Sequence, residues 1–308
     1  MSPAEAVLEG VLLPMAAGLL PLAIGMRLWR RESPRNPSGW GLAVAAAITF
    51  AFALWAQEGD KLWELRQKWQ WLWVVGGAAA GVAVATSLLR HFAPRLPAAI
   101  VGTLLALLCG IATVLMLRPP GFDETADRAV VLLVVAGSAW CLTWPSVRRS
   151  DDDDPALPGA GWADGVAFWL AGSGLSGVVL VSGFAKLAIP LGAMAALSMA
   201  AGVLAIRGRR DLGFAGLATL STVLASAAIV GWAYDLVGIP GWSFLALALA
   251  PVAMRTPLPR RFRFRSLLRL AIVLAVVGVA SGTAVVESGV FDSGDGDDGS
   301  EYDYDYGY

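Results

Sequence analysis

The sequence predicts an all-α integral membrane protein, with about ten transmembrane helices in one bundle that divides on sequence into two five-helix halves. Three observations carry this. The 308-residue chain is 57% hydrophobic and 15% charged, with mean hydropathy +0.64, too apolar for a soluble globular domain. Its apolar residues fall into ten stretches, most of them near the ~20 residues that cross ~30 Å of hydrocarbon. The third observation is charge. Seventeen of the 23 basic residues, all Arg, fall in alternate loops, and 17 of the 24 acids fall in the others. That is the positive-inside pattern. It predicts a multi-pass protein of the cytoplasmic (inner) membrane with both termini outside.

The predicted spans are 7–29, 39–57, 71–89, 97–117, 129–147, 165–186, 189–206, 213–235, 239–254 and 266–286. Span one carries Pro14 and Pro21, with Gly18 and Gly25 at the same seven-residue spacing. Proline removes a backbone donor and crowds the preceding turn, so a kink is expected. Between spans two and three, Leu62, Leu65, Trp69 and Leu72 fall on one helical stripe. This predicts an interfacial helix with Trp63 and Trp69 at headgroup depth. Span three has Gly77, Gly81 and Ala85 at four-residue intervals, and span six pairs Gly172 with Ser176 and Ser173 with Gly177. Small residues so spaced let helix backbones approach closely.

Residues 1–149 make the first half and 165–286 the second. The segment 150–164 between them contains Asp151 to Asp154 in a row, then Pro155, Pro158, Gly159 and Gly161, the composition of a solvated linker. Halves of five spans are opposite in orientation, as inverted-repeat transporters require. The span number is similar to that of the drug/metabolite transporter superfamily. That family keeps both termini inside, however, and the resemblance carries over no residue. Span nine is short and ends near Pro251, which suits a tilted or re-entrant segment. Before span ten, Arg260, Arg261, Arg263 and Arg265 alternate with Phe, so this run should meet anionic lipids at the cytoplasmic face. Residues 287–308 form an acidic Tyr/Asp tail that cannot offset its ordering entropy.

Catalytic signatures are absent. His91 is the only histidine, too few for paired haem ligands or a clustered zinc site. Cys109 and Cys141 lie in apolar stretches and read as inert. No P-loop, zinc-protease or Cys-x-x-Cys motif occurs. The expectation is therefore a protein that is not an enzyme, with no metal, cofactor or nucleic-acid partner. The best polar candidates are Lys186 and Asp235, each followed by Leu and then Ile-Pro between two spans. Opposite charges at that depth cost less when paired. With the span-eight hydroxyls, Thr222 and Ser226 among them, they make the substrate-binding set of a permease-like small-molecule transporter. The competing reading is a non-catalytic membrane scaffold, or a subunit of a larger membrane complex, that docks a protein partner through the aromatic outer loop or the acidic tail.

Overall fold

A computed structural model describes residues 8–29, 39–93, 96–117, 124–148, 160–208, 211–257 and 265–289. Among these every regular element is a helix and no strand is present. Ten α-helices are present: α1 (Leu13–Trp29), α2 (Trp40–Glu58), α3 (Leu72–Phe92), α4 (Ala98–Met116), α5 (Thr125–Arg148), α6 (Ala160–Val181), α7 (Ala185–Gly208), α8 (Phe214–Ala233), α9 (Gly241–Leu249) and α10 (Arg265–Glu287). All but α9 are long and apolar enough to cross a membrane, so nine candidate spans stand among the described residues. A π-helical turn, Leu8–Leu12, precedes α1, and a 3₁₀ turn, Ala250–Arg255, extends α9. The Arg260, Arg261 and Arg263 run, most of the linker and the acidic tail lie outside the described residues.

Helix α8 organises the bundle. It packs against α2, α3, α4 and α5 from the first half of the chain and against α9 from the second. Every residue from Phe214 to Gly231 is buried. The composition explains this: Gly, Ala, Ser and Thr recur on all sides of the helix, so neighbours can approach from every direction. The junction between the two sequence halves is therefore not a boundary in the packing.

Close backbone crossings set the remaining helix pairs. A Cβ added at Gly25 would stand 2.6 Å from the Gly41 Cα, and one at Gly165 would stand 2.6 Å from the Gly202 Cα. The Gly18 and Gly25 spacing in α1 is thus a seam for α2, with Gly18 facing Thr49. The expected small-residue faces divide. Gly172 packs on Ala195 of α7, whereas a side chain at Gly77, Gly81 or Gly177 would meet nothing within 4 Å.

The α9–3₁₀ segment begins and ends at opposite ends of the bundle. Gly241 lies against the Trp232 ring beside the α8 terminus. Fourteen residues on, Arg255 bonds the Leu142 carbonyl of α5 and Asp164 of α6. The two Ile-Pro turns also differ. Pro190 lies inside α7, whereas Pro240 precedes α9 as its N-cap. A proline with its fixed φ can start a helix at no cost, but inside one it removes a bond. The sequence similarity of the turns therefore does not make them one structural unit.

Candidate functional site

Lys186 and Asp235 do not pair. The Lys186 Nζ is 2.9 Å from Glu58 Oε1 at the end of α2. Asp235 instead accepts a 3.2 Å hydrogen bond from the Val237 N–H. This local turn continues through Gly238 at φ +88° into Pro240. Short acidic side chains favour such bonds to their own backbone two residues on.

These charges lie beside a folded cap made from the α2–α3 connection. The expected interfacial helix is absent. Leu65 takes a left-handed conformation, φ 49°, and splits the segment into two 3₁₀ turns, Gly59–Glu64 and Lys68–Trp71. Trp69 is only 1% exposed and Leu62 and Leu72 are buried with it. The Trp69 ring meets Phe184 edge-on at 5.6 Å, and Phe184 stacks on Tyr234 at 5.2 Å. The Trp69 indole N–H donates to Gln67 Oε1, while Gln70 Oε1 accepts from the Gln67 N–H and Gln70 Nε2 donates to the Lys61 carbonyl. Trp69 is thus part of the protein interior and not a lipid anchor. Trp63, 57% exposed, remains available to the interface. Burial pushes the Tyr234 phenol above its ordinary range, against the opposing effect of backbone N–H groups of Trp69 and Lys68.

The hydroxyls of α8 are consumed by packing. Thr222 Oγ1 donates to the Ala218 carbonyl at 2.8 Å, and Ser221 Oγ donates to Ser138 Oγ of α5 at 2.8 Å. Ser226 Oγ lies 3.5 Å from Thr113 Oγ1 of α4. Thr222 and Ser226 are both 0% exposed. The two pockets described below touch neither residue, so the expected substrate set is not gathered around them. Lys186 and Asp235 sit at the capped end, and the hydroxyls sit inside the helix bundle.

The polar centre that stands out in the structure is one the sequence reading passed over. Arg255 holds Asp164 with two parallel bonds, Nη1 to Oδ1 at 2.9 Å and Nη2 to Oδ2 at 3.0 Å. Its Nε also donates to the Leu142 carbonyl at 3.2 Å. The side chains are 13% and 5% exposed. Three segments distant in sequence are fastened at this point, and bidentate geometry offsets the desolvation of two charges better than a single contact would. By composition Asp164 belongs to the solvated linker, because Pro and Gly precede it. The helix in fact starts at Ala160. A usable signal was the apolar company of both residues, Trp162 and Ala163 before Asp164 and Ala253 and Met254 before Arg255.

Beside this pair runs an open groove of 440 Å³ between α5 and the α9–3₁₀ segment, floored by Leu133, Gly137, Cys141, Leu249 and Val252. It continues into a 310 Å³ recess that reaches Trp140, Trp144, Arg255 and Thr256. Among the described residues no three His, Cys, Asp or Glu side chains are grouped to hold a metal ion. Arg265 begins α10, and its Nε is buried without a hydrogen-bond partner among the described residues. Compared with family models, curated proteins and solved structures, the chain matches none.

Proposed function

We propose that this polytopic membrane protein is a non-catalytic scaffold or a subunit of a larger membrane complex, and not a permease. The observation that supports this most is the burial of α8 along its whole length, with the hydroxyls that would serve a substrate hydrogen-bonded instead within the fold. A transporter keeps a solvated site near the midplane, lined by interrupted helices. Here α8 is continuous and its neighbours fill the space around it. A docking role also fits the capped end, where Trp63, Leu236 and Trp242 are 57%, 83% and 49% exposed. Leu236 is held there by its N–H bond to the Ser182 carbonyl.

Aqueous thiol labelling tests this reading. Cysteine placed at Thr222 or Ser226, in a Cys141→Ser background, should stay unreactive toward a charged methanethiosulfonate in proteoliposomes until the protein is denatured. Rapid labelling of either position in the folded protein would restore the permease reading.

The same proposal includes the topology. Ten crossings follow if the α9–3₁₀ segment is counted as a short span, and the Arg-rich loops then place both termini outside the inner membrane. Cysteine at Ser300, which lies outside the described residues, should label in intact cells. Labelling only after permeabilisation would reverse the orientation.

A further inference from the structure

We propose that the groove between α5 and the α9–3₁₀ segment holds one phospholipid, its acyl chain along the apolar floor and its headgroup oxygens on Arg255 and Thr256. This does not depend on the scaffold reading.

Length is the first support. From Leu133 to Trp144 the helix climbs roughly 16 Å at ~1.5 Å per residue, about half of a ~30 Å hydrocarbon core. The groove is therefore one leaflet long and ends at the Arg255 end of the bundle.

Polarity is the second. The floor is apolar, and Gly137 leaves it open, since a Cβ there would meet nothing within 4 Å. Hydrogen-bond donors gather at the end. Arg255 has five N–H groups, of which three serve Asp164 and Leu142. The other two, and the Thr256 hydroxyl, have no partner among the described residues, and both side chains line the recess. Arg269 stands behind them, its Nε donating to the Thr256 carbonyl at 3.0 Å. Phosphate and ester oxygens match such a donor set.

A partner helix fits less well. A helix in a membrane has its backbone polar groups already bonded to one another along its own axis. Its apolar surface would also leave the Arg255 and Thr256 donors unsatisfied, which is costly away from water.

Native mass spectrometry of the full-length protein, released from detergent with dioleoyl phosphatidylglycerol added, tests the proposal. The wild-type protein should retain one lipid after milder-bound copies are stripped. Gly137→Phe should lower that retention at least about tenfold, and Thr256→Val about threefold for one lost hydrogen bond. Leu104→Phe, on an exposed α4 position, should change nothing. Equal retention in Gly137→Phe and Leu104→Phe would overturn the proposal. So would a detergent molecule alone in the groove, or a dimer abolished by Gly137→Phe without any lipid signal. If Gly137→Phe lowers the melting temperature too far to be purified folded, Thr256→Val decides, and unchanged retention in it overturns the proposal.

Discussion

Arg255 and Asp164 lie 91 residues apart and meet through paired bonds of 2.9 and 3.0 Å, while the same guanidinium holds a carbonyl of a third helix. Removing either charge leaves the other buried. Asp164→Ala or Arg255→Ala should therefore destabilise the detergent-solubilised protein by about 3–5 kcal/mol. The double variant Asp164→Leu/Arg255→Met should recover most of that loss. Arg255→Lys should not, because an ammonium cannot supply the fork and the third bond together. Additive single effects in a denaturation cycle would count against direct coupling.

Lys186 should couple to Glu58 and not to Asp235. Its side chain is 58% exposed, so screening limits the pair to about 0.5 kcal/mol. A double-mutant cycle with Glu58→Gln should register that term and lose it in high salt. The cycle with Asp235→Asn should be additive.

The cap should respond to Trp69 and ignore Trp63. Trp69→Ala empties a site walled by Phe184 and should cost about 3–5 kcal/mol. Trp63→Ala should stay within about 0.5 kcal/mol. Tyr234→Phe keeps the stacking on Phe184 and should cost no more than about 1 kcal/mol, between the other two. Thermal unfolding followed by tryptophan emission ranks the three. Equal effects at positions 63 and 69 would mean that the cap is not packed as described.

Glycine substitutions should separate internal seams from open faces. Leucine at Gly25 or Gly165 cannot be seated without parting two backbones that would lie 2.6 Å from its Cβ, so expression of folded protein should collapse. Leucine at Gly77 or Gly81 meets open space and should leave the melting temperature of the monomer unchanged.

Helix placement was legible because hydrophobic length and loop charge are properties of contiguous sequence. Side-chain roles were less so. The inward stripe of Leu62, Trp69 and Leu72 was visible, but the positive φ of Leu65 and the distant partner Phe184 were not, and together they make a buried cap of an expected surface helix. Composition around Asp164 resembled a linker, and only the return of Arg255 from 91 residues away made its burial affordable. For α8, Ser and Thr on every side signalled close neighbours as readily as a polar path. Periodicity alone could not separate those cases, because Thr222 can bond its own helix whether or not water is present. The matched Ile-Pro turns misled for a related reason: identity over a few residues does not determine where a helix begins.

The burial of α8 also has a consequence for biogenesis. Chains emerge amino-terminus first at ~5–20 residues per second, so α5 precedes the end of α8 by on the order of 10 s. During that interval Thr113 and Ser138, which later face Ser226 and Ser221, have no central neighbour. Until then each hydroxyl can bond back to its own helix, Thr113 to the Cys109 carbonyl and Ser138 to the Val135 carbonyl, and the centre of the bundle closes when its eighth segment joins it.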